Sequence, residues 1–273
     1  MCGRYAASAH PEDLVEELDI DVDQTSAGPE PLRPRFNLAP TDPGPVVLER
    51  APRGEPDAPP QRQLRLLRWG LVPSWSKDAK GAARMINARS ESLFETAAYR
   101  RTALVRRCLV PADGWYEWQA SPSARDAKGK PRKQPFFVHL AAAAADHAPP
   151  APLVFAGLYE FWRDKGKPDD DPDAWLVTYT IITTAAESGL DRIHDRMPFV
   201  LDRERWADWL DPAIQDPDAV RALLEPPPPG RFAAYPVTSR VNSVRNDGPE
   251  LLEPAAPEDL VGVVDPMTGE VIG

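Results

Sequence analysis

Residues 153–184 read LVFAGLYEFW RDKGKPDDDPDA WLVTYTIITT, and this stretch decides the fold class. Leu153–Trp162 and Trp175–Thr184 are apolar runs rich in β-branched and aromatic residues, so both predict strands. Lys165–Pro172 between them carries Asp, Gly and Pro and reads as a surface loop, because proline lacks the ladder donor and little apolar area is on offer. Leu64–Trp69, Cys108–Pro111 and Phe136–Leu140 are further strand-like runs. Pro52–Pro60, Ala120–Pro135, Ala141–Pro152 and Pro226–Pro229 read as loops.

Helical signals are fewer. Pro11–Leu18 places Leu14, Val15 and Leu18 on one face, and Ser92 with Glu95 forms a capping-box pattern ahead of Ala97–Arg101. Asp202 is placed to cap a helix holding Trp206, Trp209 and Leu210, and Val220, Leu223 and Leu224 repeat that spacing. Strands and helices are mixed without regular βαβ alternation, which favours α+β over a doubly wound sheet. One domain over 1–273 is expected, with loop insertions near 51–61, 120–135, 141–152 and 164–174.

The chain has 273 residues, 33 prolines, two cysteines and a formal charge of −10. Two cysteines supply neither a disulfide scaffold nor a four-thiolate zinc site. No apolar run approaches the roughly 20 residues of a membrane span, and the start MCGRYAASAH lacks the apolar stretch of a signal peptide. A soluble cytoplasmic protein is the expectation. The charge is uneven: residues 1–60 carry −7, residues 61–140 carry +10 and residues 141–273 carry −13. In the basic segment Arg84, Arg89, Arg100, Arg101, Arg106 and Arg107 interleave with Trp69, Trp75, Trp115 and Trp118. That pattern reads either as an ordinary solvated face or as a basic groove with aromatic platforms for single-stranded nucleic acid.

Chemistry begins at Cys2. Removal of Met1 would leave an α-amine and a thiol on adjacent carbons. The amine, with a reference pKa of about 7.7–8.0, is partly neutral near pH 7 and can attack an aldehyde to give a Schiff base. The thiol can then close a five-membered thiazolidine ring. The same cysteine could instead serve as a nucleophile for amide cleavage, or be a chance small residue after Met1. Cys108 lies in an apolar run and reads as a core thiol, while His10, His139 and His147 have no context beyond structural or exposed positions.

Further motifs follow in order: Arg35-Phe36-Asn37-Leu38-Ala39-Pro40, Trp69-Gly70-Leu71-Val72-Pro73-Ser74-Trp75, Asn87-Ala88-Arg89-Ser90-Glu91, Gly114-Trp115-Tyr116-Glu117-Trp118 and Ile193-His194-Asp195-Arg196-Met197-Pro198. With Met1-Cys2-Gly3-Arg4-Tyr5 ahead of them, and Val237-Thr238 and Val241-Asn242 behind, the chain resembles the SRAP (SOS-response-associated peptidase) family. The resemblance implies a mixed, barrel-like β core with a few flanking helices. It also implies covalent capture of abasic sites in single-stranded DNA, a monomer, no cofactor or metal, and association with the nucleoid when DNA is bound.

Residue by residue, it implies that Cys2 is the nucleophile and that Asn87 holds the sugar's oxygen or the Cys2 backbone. Glu117 would shuttle protons during imine formation, and His194 would help the closed sugar open to its aldehyde. Arg4, Arg89 and Arg196 would grip phosphates, while Trp75, Trp118 and Pro40 would contact bases beside the lesion. On the residues alone, without the resemblance, Glu117 reads first as a strand-end carboxylate facing solvent and His194 first as an ion-paired surface histidine. A cysteine peptidase or autoprotease using Cys2, with His194 as base and Glu117 as orienter, is the alternative activity, and a lyase-like one accompanies the crosslinking reading. Trp206 and Trp209 read as core.

Overall fold

The computed structural model describes residues 2–27, 31–52, 54–141 and 153–272. Its strands are β1 (Tyr5–Ala7), β2 (Val22–Asp23), β3 (Arg35–Leu38), β4 (Pro43–Arg50), β5 (Gln61–Trp69), β6 (Asn87–Arg89), β7 (Arg107–Ala112), β8 (Gly114–Arg125), β9 (Pro131–Leu140), β10 (Leu153–Arg163), β11 (Trp175–Ala185), β12 (Arg196–Pro198) and β13 (Phe232–Pro236). Its α-helices are short: α1 (Pro11–Glu17), α2 (Thr102–Val105), α3 (Trp206–Leu210) and α4 (Pro217–Leu223).

The two runs at 153–184 pair antiparallel from Gly157↔Ile181 to Arg163↔Trp175. From there the order β11-β10-β7-β4-β5 returns to its start, because β5 also pairs parallel with β11 at Thr178↔Arg68 and Tyr179↔Trp69. The result is a closed, mixed five-stranded barrel in an α+β fold. A second, five-stranded antiparallel sheet, β13-β9-β8-β1-β3, packs against it.

Both faces of the barrel strands are buried, which explains why 153–162 shows no polar alternation. Phe155 and Tyr159 on β10, Val46 and Leu48 on β4, Trp69 on β5 and Tyr179 and Ile181 on β11 share one core with Tyr5 and Trp115 of the second sheet. The intervening residues, Val47, Leu109, Val154, Ala156, Leu158 and Ile182, pack outward with Trp206, Trp209, Leu210 and Val220 of α3 and α4. The reading of Trp206 and Trp209 as core therefore holds, with exposures of 5% and 0%. At the core's centre the Tyr5 and Tyr179 hydroxyls meet at 2.6 Å. Gly44 makes room for them, since a Cβ there would collide with both phenolic oxygens.

Several local expectations change. Ala120–Pro135 is not a loop: β8 and β9 extend through it as a hairpin, leaving 126–130 as the turn. The helix expected over Ala97–Arg101 is a series of turns, and α2 begins at Thr102. Asp202 makes no capping bond; its carboxylate pairs with Arg231 at 2.8 Å, and a 3₁₀ turn over Arg203–Arg205 leads into α3. Strand β4 lay hidden behind Pro43-Gly44-Pro45, which resembles a turn in sequence. The loop expected over Ala141–Pro152 falls, beyond Ala141, outside the described residues, as does His147. No helix among the described residues is long and apolar enough to cross a membrane.

Candidate functional site at the N-terminal cysteine

Strand β1 pairs with β8 at Tyr5↔Trp115, and Tyr116 donates its backbone N–H to the Arg4 carbonyl at 3.0 Å. This pairing runs the first residues along β8 towards Glu117. Strand β6 joins β11 in parallel at Ile181↔Asn87, while β12 joins its end at Ala185↔Arg196. Four distant segments thereby converge at one end of the barrel.

Cys2 is completely buried there, and its Sγ lies 3.8 Å from the Arg4 carbonyl oxygen. Asn87 Nδ2 donates to the Cys2 carbonyl at 2.8 Å, which pins the residue without touching its thiol. Burial pushes the Cys2 thiol well above its ordinary pKa, and the Glu117 charge adds to the rise. Glu117 is 4% exposed, and burial raises its carboxyl to about 7, against the pull of the chain's amino-terminal charge. A buried carboxyl poised near neutrality can both give and take a proton at physiological pH.

Glu117 and His194 line one narrow cleft with Trp115, Val138 and Met197. Burial and then the amino-terminal charge lower the His194 pKa, opposed by Asp195. Its Nδ1 lies 3.0 Å from the Arg196 backbone nitrogen and 2.9 Å from Asp195 Oδ1. One nitrogen cannot serve both at once. The neutral ring accepts from Arg196 and carries its proton on Nε2, whereas the protonated ring can donate to Asp195. The lowered pKa favours the neutral ring.

The basic residues divide. Arg196 is gripped by Glu91 through Nη1 at 2.6 Å and Nη2 at 2.9 Å, and also donates to the Thr183 carbonyl. That bidentate pair holds the Glu91 pKa down. Arg4 donates from Nη1 to Asn37 Oδ1 at 2.9 Å and to the Val241 carbonyl at 3.0 Å. Arg89 is exposed at the end of β6. Trp75 is 67% exposed on the loop after β5, Pro40 is half-buried after β3, and Trp118 donates Nε1–H to Asn242 Oδ1 at 2.7 Å. Among the described residues, no hydrogen bond or ring contact ties Pro40 or Trp75 to the Cys2 cluster.

The wider Arg–Trp groove needs correction. Trp69 and Trp115 are core residues, and Arg107 is 3% exposed, donating to the carbonyls of Trp209, Asp211, Ala103 and Leu104. Asn37 was not foreseen as a structural hub. It is fully buried, and its amide reaches the carbonyls of Val241, Ser243 and Asn246, while Asp247 accepts from the Phe36 and Asn37 backbone. The motifs at 35–40 and 237–242, far apart in sequence, are thus one structural staple. Among the described residues no group of three or more His, Cys, Asp or Glu side chains is arranged to hold a metal ion.

A family model described as SOS response associated peptidase (SRAP) matches residues 1–244. The chain is 36% identical over 253 residues to the abasic site processing protein YoqW of Bacillus subtilis (strain 168), covering 93% of this chain and 99% of that one. It is 34% identical to the abasic site processing protein HMCES of Gallus gallus, covering 93% of this chain and 78% of the other. Among solved structures, a protein from Bacteroides thetaiotaomicron superposes with a TM-score of 0.73 at 22% identity, covering 93% of this chain and all of that one, a likeness of fold alone. A phage-related protein of Bordetella bronchiseptica does so with a TM-score of 0.59 at 32% identity, over 86% of this chain and 94% of the other.

Proposed function

The chain belongs to the SOS response associated peptidase family, and from that premise we propose that it processes abasic sites in single-stranded DNA by covalent capture on Cys2 after Met1 is removed. The observation that carries this reading is the convergence of Cys2, Asn87, Glu117 and His194 from four separate segments. The relatives' description as abasic site processing proteins supports the substrate class.

The steps balance without a cofactor. Neutral His194 accepts the proton of the sugar's anomeric hydroxyl and passes it to the ring oxygen as the bond from C1 to that oxygen breaks, which releases the aldehyde. The neutral α-amine of Cys2 adds to the aldehyde carbon, and the resulting carbinolamine loses water. Glu117, protonated up to about pH 7, donates to the departing hydroxyl and takes back the proton that the nitrogen loses as the C=N bond forms. The Cys2 thiol then adds across the C=N bond; its proton passes to the nitrogen and the thiazolidine closes. Asn87 holds the Cys2 carbonyl through all of this, so the amine and thiol turn about a fixed point. Arg4, Arg89 and Arg196 serve as phosphate contacts, Arg196 by exchanging Glu91 for a phosphate. Pro40, Trp75 and Trp118 serve as base contacts.

A peptidase reading requires a thiolate. Burial raises the Cys2 thiol, and the neighbouring carboxylate raises it further, so amine-first chemistry is favoured. The test is incubation of the purified protein with a single-stranded oligonucleotide bearing one abasic site, read on a denaturing gel. A stable adduct is expected, and residues added ahead of Cys2 should abolish it. An extended chain that crosslinks as well as the native one would overturn the α-amine mechanism. Cys2→Ser should still give an imine that borohydride traps, with no lasting adduct otherwise.

A further inference from the structure

The barrel has a second end. Asn87 and Arg196 pair near the close of β11, at Ile181 and Ala185, whereas Trp175 and Val177 open that strand at the opposite mouth. A cavity of about 750 Å³ lies at this far mouth, within the size range of small-molecule sites. Arg50, Arg65 and Arg106 line it together with Phe161 and Trp175. Arg50 and Arg65 continue the inward rows of β4 and β5, at period two from Leu48 and Leu67.

The arginines are unevenly neutralised. Arg106 pairs with the buried Glu160, and its guanidinium lies 5.6 Å from the Phe161 ring centre. Arg50 stands 5.0 Å over the same ring. Neither the Arg50 nor the Arg65 guanidinium has a carboxylate or hydrogen-bond partner among the described residues. Burial and the charge of Arg50 both press the Arg65 pKa down. Two like charges thus share a half-buried mouth with no carboxylate at ion-pairing distance from either among the described residues, an arrangement that an entering anion relieves.

The rim limits the anion's size. Asp169, Asp170 and Asp171 border the cavity; Asp169 pairs with Arg163 and Asp171 accepts from the Asp173 backbone at 2.8 Å. Three consecutive carboxylates on the lining repel a continuous polyanion more strongly than a single compact phosphate. Trp175, 54% exposed at the same cavity, offers an aromatic face.

We propose that this mouth binds a small nucleotide, its phosphate held by Arg50, Arg65 and Arg106 and its base stacked on Trp175, independently of the chemistry at Cys2. Calorimetric titration of the full chain with dAMP, inorganic phosphate and a short single-stranded oligonucleotide tests it. Saturable dAMP binding is expected, weakened about tenfold or more by Arg65→Gln or Arg50→Gln. Trp175→Ala should weaken dAMP about fivefold and leave inorganic phosphate unchanged. Abasic-site crosslinking should be unaltered in all three variants, so failure here and failure at Cys2 are separable. Thermal melts identify any variant that does not fold, and the remaining variants then decide. The proposal is overturned if dAMP gives no saturable binding up to about 10 mM, or if the folded arginine variants bind it as wild type does. It is equally overturned if dAMP binds no tighter than phosphate, or if the oligonucleotide displaces dAMP and loses affinity in Arg65→Gln.

Discussion

Cys2 and Cys108 lie in the same hydrophobic core, both wholly buried, and burial raises both thiols well above their ordinary pKa. In exposure, and in the direction in which burial moves the thiol, they are alike. Their surroundings differ. Cys108 sits near the start of β7 against Gly157, its carbonyl accepts from Trp209 Nε1 at 2.9 Å, and burial is the one cause that raises its thiol. Cys2 has Asn87 on its carbonyl and the Glu117 charge near enough to raise its thiol further, and its nitrogen would become a free amine on removal of Met1. Burial alone therefore does not separate a reactive cysteine from an inert one. In the proposed mechanism what separates them is an α-amine nucleophile that needs no thiolate, together with a carboxyl that burial raises to about 7.

That contrast can be broken at either pole. The largest effect is expected from Cys2→Ala: complete loss of the stable DNA adduct in a denaturing gel, with the fold retained by circular dichroism. A variant that still forms the adduct would erase the distinction. Gly157→Ala attacks the other pole. Its Cβ would lie 2.9 Å from Cys108 Sγ and 3.0 Å from the Thr180 carbonyl, so a destabilisation of about 1–3 kcal/mol is expected in denaturant melts.

Glu117→Gln sharpens the comparison through pH. The folded state holds the Glu117 proton up to about pH 7, while an unfolded carboxyl releases it near 4.5. Stability should therefore fall as pH rises between those values and stay low above them. At pH 8 the Gln variant should be more stable than wild type, by up to about 3 kcal/mol, while forming the adduct more slowly. Equal stability at pH 8 would mean that the carboxyl is not tuned by burial. Cys108→Ala should cost about 1–2 kcal/mol in the same melts and leave the crosslinking rate unchanged.

Much of this was legible beforehand, where the physics is local. The runs at 64–69, 108–111, 136–140, 153–162 and 175–184 all lie within strands, four in the barrel and 136–140 in the second sheet, because apolar residues buried on both sides of a strand leave an unbroken apolar signature. The hairpin over 120–135 was not legible. Its Ser, Pro and Lys residues are poor strand formers, held extended by pairing along β9 from Ala120↔Lys133 to Arg125↔Pro131. Nor was the fate of the arginines. Arg107 and Arg89 look alike in a basic segment, yet one is buried under four carbonyls and the other is exposed.

By itself the sequence determined that strands dominate, that no disulfide or four-thiolate metal framework supports them, and that a cysteine follows Met1. Order along the chain also carried the motifs that place it in its family. Only the tertiary structure decided that β5 closes on β11 into a barrel, that Asn37 staples 241–247 to β3, and that Glu117 is buried beside Cys2. The reason is physical. Strand propensity and chain-terminal chemistry belong to neighbours in sequence, whereas desolvation, which lifts Glu117 to about 7, depends on what the fold brings from elsewhere to exclude water.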